Sequence, residues 1–195
     1  MKSPKVTFDA ILSQTKQYYD KKLAAYGPIP TGVDWNSAAS QELRFEQLLK
    51  VCDTSNPFTL NDFGCGYGAL VAHMIGRDYR FKYNGFDLSL QMIDAAWEKY
   101  GDFGHCRFTS DRESLGVADY TVASGIFNVK LQTRDEEWQG YVLHTLGKIA
   151  ELSKKGFAFN VLTKYSDPEF MRPDLFYADP LFLFDYCKRN FSIFR

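Results

Sequence analysis

The sequence predicts an α/β fold: a central, mostly parallel sheet with helices on both faces, preceded by a helical extension. Three observations predict it. From residue 58 onward, short apolar runs alternate with stretches of helical period, the pattern of βαβ units. A glycine cluster at 64–68 stands where the first of those runs passes into a helix. Before residue 58 the apolar residues recur only at helical spacing.

The elements follow in order. Phe8, Ile11, Leu12, Tyr19, Leu23 and Tyr26 share a helical face over 6–26. Gly27-Pro28-Ile29-Pro30-Thr31-Gly32 breaks it, and Asn36 or Ser37 caps a second helix running to about Cys52. Strands are expected at 58–63, 81–87, 105–109, 120–124 and 156–162. Helices are expected at 69–75, 89–100, 135–155 and about 180–190. The 135–155 helix carries Trp138, Tyr141, Val142, Thr145, Leu146, Ile149 and Leu152 on one face. Residues 1–53 thus form a helical extension or lid, and 54–195 the sheet-bearing domain.

A chain of 195 residues fits one such domain and buries about 70% of its unfolded surface without staples. Hydrophobic residues at 45% and charged residues at 24% exclude wholesale disorder. Aromatics at 16% point to dense core packing or a flat-walled pocket. A net charge of −1 excludes a global grip on nucleic acid. Lys21-Lys22, Lys154-Lys155 and Lys188-Arg189 read as solvated helix faces. Cys52, Cys65, Cys106 and Cys187 have no C-x-x-C spacing, Met1-Lys2-Ser3-Pro4 is too polar for a targeting segment, and no apolar run reaches the ~20 residues of a membrane span. A reduced, cytoplasmic setting is expected.

The chemistry is carried by Asp62-Phe63-Gly64-Cys65-Gly66-Tyr67-Gly68. Glycines at a strand-to-helix turn let the backbone bend tightly and a ligand approach closely. Nineteen residues after Gly68, Asp87 ends the second strand, where a carboxylate accepts hydrogen bonds from ribose hydroxyls. The ordered set reads as a nucleoside-cofactor site. Gly64-x-Gly66-x-x-Ala69 also satisfies a loose dinucleotide fingerprint. Against that reading, Asp62 sits badly beside a pyrophosphate but suits a ligand carrying an ammonium. The turn also comes late in the chain, and the lone Tyr-x-x-x-Lys pair, Tyr18 and Lys22, precedes it.

On these residues the sequence resembles the class I S-adenosylmethionine-dependent methyltransferases over about 58–163. The resemblance implies a Rossmann-like fold with S-adenosylmethionine as cofactor. It implies that Asp62, Gly64, Gly66 and Gly68 hold the methionine part, that Asp87 binds ribose, and that Leu88 or Met92 packs on adenine. Asp111, after the third strand, is expected to contact the adenine amine. Ser124 to Asn128, with Ser124 and Phe127 foremost, would line the cofactor and substrate pocket. Gln41 and Arg44 lie one turn apart on the apolar face with Leu48, Val51 and Cys52. Arg44 either pairs with the cofactor carboxylate, snorkels, or joins a structural ion pair. Asn128 and Lys130 are the candidates for contact with reacting groups, and Thr163 to Tyr165 lie at the same edge. Tyr18, Tyr19, Trp35, Phe170, Phe176, Phe182 and Phe184 either cover a substrate or pack a core. His73, His105 and His144 lack metal-ligand spacing, and His144 reads as solvated.

Two signatures are absent. No Asn-Pro-Pro-Tyr follows the fourth strand, against amide or adenine N-methylation, and no Pro-Cys, against cytosine C5 chemistry. The family's C-terminal antiparallel hairpin has no counterpart in the 32 residues after Thr163. The chain is therefore expected to be a fragment, or to cover its fifth strand with the 180–190 helix or a second copy. The expected function is methyl transfer to a small molecule by in-line displacement. The alternatives are a cofactor-binding regulatory or assembly module without turnover, and a nicotinamide-dependent oxidoreductase.

Overall fold

The computed structural model describes residues 7–191; the Met1–Pro4 segment lies outside the described residues. Five parallel strands form one sheet in the order β3-β2-β1-β4-β5. They are β1 (Phe58–Phe63), β2 (Phe81–Phe86), β3 (Cys106–Thr109), β4 (Ala118–Ala123) and β5 (Ser153–Phe159). Order reverses between β1 and β4, the switch point where the strand ends open a crevice.

Alternation along each strand feeds two cores. On one face Leu60, Tyr83, Phe108 and Val122 meet α2 (Ala38–Leu49), α3 (Ala69–Ile75) and α4 (Leu90–Tyr100) through Phe45, Leu48, Val71, Met74 and Ala96. On the other, Phe63, Phe86 and Ala123 meet α1 (Phe8–Tyr26), α5 (Asp135–Glu151) and α6 (Pro180–Asn190) through Ile11, Trp138, Leu146 and Leu183. The helical extension has no core of its own. Ile11 is 1% exposed within the sheet's second core. Ser37, not Asn36, caps α2, its Oγ accepting from Ser40 N at 3.1 Å. Among the described residues no helix is long and apolar enough to cross a membrane.

The region around β5 differs from the sequence expectation. The helix ends at Glu151 rather than near Lys155, and the strand runs 153–159 rather than 156–162. Ala118 registers with Ser153, so Lys154 and Lys155 sit on a strand, not a helix face, and Lys155 reaches Asp119 at 3.1 Å. β5 stops at Phe159; Asn160 next to it still donates its N–H to Ala123 O at 3.3 Å, and its side-chain Oδ1 accepts from Gly125 N at 2.7 Å. Beyond it, β6 (Leu162–Thr163) pairs in parallel with β7 (Tyr177–Ala178), apart from the main sheet. Among the described residues no strand pairs the outer edge of β5. Phe191, just past α6, packs edge-on against Phe157 at 5.1 Å, and Leu183 and Cys187 join the same core.

One close approach positions the site. A Cβ on Gly85 of β2 would stand 2.8 Å from Cys65 Sγ, 2.8 Å from Phe108 and 2.9 Å from the Tyr83 ring. Nothing bulkier than hydrogen lets the glycine turn settle on β2. Gly85→Ala should therefore cost about 1–3 kcal/mol, read as a lower urea midpoint with unchanged slope. An unchanged midpoint would show that the packing around the turn is looser than described.

Candidate functional site

A cavity of about 460 Å³ opens at the C-terminal ends of β1, β2 and β4. Its floor includes Phe63 and Phe86, whose rings lie 4.9 Å apart. The glycine turn forms one wall. Gly64, Gly66 and Gly68 all have φ between +53° and +87°, a region other residues enter only at a cost. A Cβ on Gly64 would also run into Ile126 Cγ2 at 2.2 Å.

Two carboxylates define the polar poles of this wall. Asp87 Oδ2 accepts from Gly66 N and Oδ1 from Ser89 N, both at 2.9 Å. Gly64 N and Cys65 N both donate to Phe86 O, at 2.7 and 2.9 Å. These bonds bolt the turn to the end of β2. Burial raises the Asp87 carboxyl above its ordinary range, and the two backbone donors oppose that rise.

Asp62 is buried to 3% exposure. Its Oδ2 accepts from the Tyr83 hydroxyl at 2.7 Å, and its Oδ1 has no hydrogen-bond partner among the described residues. Burial pushes its carboxyl up to about 7, the Asp87 charge adds to the rise, and the Tyr83 hydrogen bond opposes it. An unpartnered carboxylate oxygen beside a cavity is a place for a cationic donor.

The remaining wall comes from the helices and the loops after β3 and β4. Leu88, Met92, Ser110, Asp111, Ser124 and Ile126 line the cavity, with Gln41 of α2. Gln41 Oε1 accepts from the Tyr67 hydroxyl at 3.3 Å. Asp111 caps the short turn 112–114 by accepting from Glu113 N at 3.0 Å. Trp35 lies across Gly125, where an added Cβ would be 3.2 Å from the indole. Leu12, Lys16 and Tyr19 of α1 form a roof. That roof is tied down where the Ser89 hydroxyl donates to Asp20 and the Tyr18 hydroxyl to Asp34, with Lys22 on Asp34 at 2.6 Å.

The cavity therefore gathers Gln41, Asp62, Gly64, Gly66, Asp87, Leu88, Met92, Asp111 and Ser124. Five expected residues stand elsewhere. Arg44 is off the wall: its guanidinium bonds Ser40 Oγ at 3.2 Å and lies 5.7 Å from the Trp35 ring centre. Gly68 sits behind the wall against Tyr100. Phe127 is fully buried in the second core, and its carbonyl accepts from Trp138 Nε1 at 2.8 Å. Asn128 Oδ1 accepts from Leu162 N at 3.1 Å, and Lys130 pairs with Asp135 at 3.3 Å, so both brace the loop after β4.

Among the aromatics, Tyr19 and Trp35 reach the cavity, Phe176 is core, and Phe170 and Phe184 are exposed. His144 is exposed but stands at the cavity mouth, its ring 5.0 Å from that of Phe8. Tyr83, Tyr141 and Lys16 were not legible as site residues. A tyrosine on an inward strand position carries no motif, and only the strand register brings Tyr83 beside Asp62. Among the described residues no cluster of His, Cys, Asp and Glu is arranged to hold a metal ion.

A buried acid raised from about 4 to about 7 costs stability as pH climbs through that window, and the full cost stands above it. Asp62→Asn keeps an acceptor for Tyr83 and removes the charge. It should stabilise the ligand-free protein by on the order of 2–4 kcal/mol at pH 8 and by almost nothing at pH 4. Urea unfolding at both values checks this; a pH-independent difference would contradict it.

No family model matches the chain. It is 45% identical over 144 residues to a Mycobacterium tuberculosis protein named "Putative methyltransferase Rv1506c", a match covering 74% of this chain and 87% of that protein. Among solved structures it is similar to the magnesium protoporphyrin IX methyltransferase of Synechocystis PCC 6803 with bound SAM, at 16% identity and a TM-score of 0.60, covering 100% of this chain and 91% of that one. It is also similar to the mycolic acid cyclopropane synthase CmaA1 complexed with SAH and CTAB, at 14% identity and a TM-score of 0.62, covering 98% and 77%. The [4+2]-cyclase SpnF shares the fold at 16% identity and a TM-score of 0.59, covering 90% and 71%. With the relative's identity and span, the chain belongs to the methyltransferases, and its strand order and structural neighbours give it the class I, Rossmann-like fold.

Proposed function

We propose that this methyltransferase binds S-adenosylmethionine in the cavity at the β1–β2–β4 edge and methylates a small-molecule acceptor by in-line displacement. The observation that carries this reading is the pairing of poles on one wall. Asp62 presents an unpartnered oxygen suited to an ammonium, and Asp87, at the end of the next strand, is suited to ribose hydroxyls. The glycine cradle between them has no room for a Cβ at Gly64. When bound, the cofactor supplies a methyl group on a positively charged sulfur.

The chain's own part is to bind, orient and exclude water. Asp62 and the turn hold the amino-acid end, with Gln41 and Ser124 supplying further polar contacts. Leu88 and Met92 offer apolar surface to the base, and Asp111 a polar contact beside it. Tyr19, Trp35 and Ile126 enclose the acceptor side with flat or apolar surface. These flat and apolar side chains would keep water away from the bound cofactor's sulfonium, the dry setting that methyl transfer favours. The same walls would hold the acceptor in a fixed orientation, which contributes the rest. The near-neutral chain and enclosed cavity favour a small acceptor over nucleic acid. Asn128 and Lys130 hold the loop after β4 in place, and Arg44 steadies Trp35.

Asp87→Ala should lower S-adenosylmethionine affinity more than tenfold by titration calorimetry, since two charge-assisted bonds of roughly 1.5–3 kcal/mol each are lost. Circular dichroism on the same sample reports whether the turn survives. Unchanged affinity would remove Asp87 from the ribose role. Arg44→Met should change affinity for S-adenosylmethionine and for its decarboxylated analogue by the same factor, within about threefold. Loss confined to the carboxylated ligand would show that Arg44 reaches the cofactor carboxylate.

A further inference from the structure

Tyr83 is fully buried on β2, where its register partner on β1 is Leu60, two residues before Asp62. Its ring packs in the first core 5.6 Å from Phe108, and its hydroxyl emerges from that core at one point, Asp62 Oδ2. A tyrosine hydroxyl has one proton to give. Given to Oδ2, it occupies that oxygen and leaves Oδ1, on a residue that lines the cavity, with no partner among the described residues.

Among the described residues no cation neutralises this acid. The titratable groups that reach Asp62 are Tyr83, Asp87 at the end of β2, and Cys65 in the turn. Its register neighbours are Gly85 on β2 and Val122 on β4, neither ionisable. Gln41 and Tyr67, from α2 and the turn, bond to each other and bring no charge. Lys16 and Asp20 of α1 act on Asp87. A buried carboxylate with one hydrogen bond and a like charge nearby is held partly protonated until a cation arrives.

We propose that Tyr83 is a positioning residue for Asp62, and that Asp62 gives up one proton when it captures the cofactor's ammonium. In this step the O–H bond of the Asp62 carboxyl breaks, the proton leaves to solvent, and the carboxylate pairs with the ammonium. Tyr83 keeps the carboxyl ionisable near neutrality by donating to its charged form, and by occupying Oδ2 it leaves Oδ1 for the ammonium. The inference rests on the cofactor reading above. It predicts that cofactor affinity falls with acidification, by about tenfold per pH unit well below the Asp62 midpoint, with proton release as the reciprocal effect.

The test has two arms. In the ligand-free protein, carbon-13 NMR of labelled aspartate follows the Asp62 carboxyl, with Asp62→Asn identifying its signal. The midpoint should lie near 7 in the parent and rise by about one pH unit in Tyr83→Phe. A merely structural Tyr83 would leave that midpoint in place, and this result would overturn its role. In the second arm, S-adenosylmethionine is titrated at pH 7 in buffers of different ionisation enthalpy. The parent should release about half a proton, Tyr83→Phe more, and Asp62→Asn none. Binding without proton release between pH 6 and 8 would overturn the capture step. Failure to bind at any pH, with the first arm as expected, would sink the cofactor reading and the capture step with it, while the positioning role of Tyr83 would stand.

Discussion

The carboxylate of Asp87 receives the backbone N–H groups of Gly66 and Ser89, and the rest of the site depends on that convergence. One residue ties the glycine turn to the end of β2 and to the start of α4. The turn in turn fixes where α3 begins and how closely Gly64 packs on Ile126. Ser89, which caps α4, also donates to Asp20 and so ties α1 over the opening. Binding residues and roof therefore share a frame two or three residues wide.

That frame works because the sheet beneath it is buried on both faces. Val71, Met74 and Ala96 seal one side, and Trp138, Leu146 and Ile149 the other. Against so dense a core, the polar groups retained near the strand ends stand out. Asn61 and Thr121 are buried and find carbonyls at Gly116 and Leu152. Asp62 differs, because one of its oxygens finds no partner among the described residues. Stability alone does not account for an unpartnered oxygen at that position; the proposed ligand would.

Much of this was legible in the sequence. The bounds of β1 and α3 follow from apolar runs closed by Pro57, the glycines and Gly76, and the Gly-x-Gly-x-Gly spacing pointed to one wall of the cavity. The departures have physical causes. Lys154 and Lys155 suit an exposed helix face as well as an exposed strand, and only pairing with β4 decides between them. Arg44 lies on the apolar stripe of α2, but Ser40 and Trp35, both upstream of it, claim its guanidinium. Phe127 follows the fourth strand as the pocket residues do, yet the Trp138 hydrogen bond draws its backbone into the core. Tyr83 carries no motif because its role exists only across strands.

The most direct test of the account is a crystal structure of this chain with S-adenosylhomocysteine. The account predicts the ligand's ammonium on Asp62 Oδ1 and its ribose hydroxyls on Asp87, beneath the α1 roof. Density for the ligand outside this cavity, or in it with the two ends reversed, would contradict it.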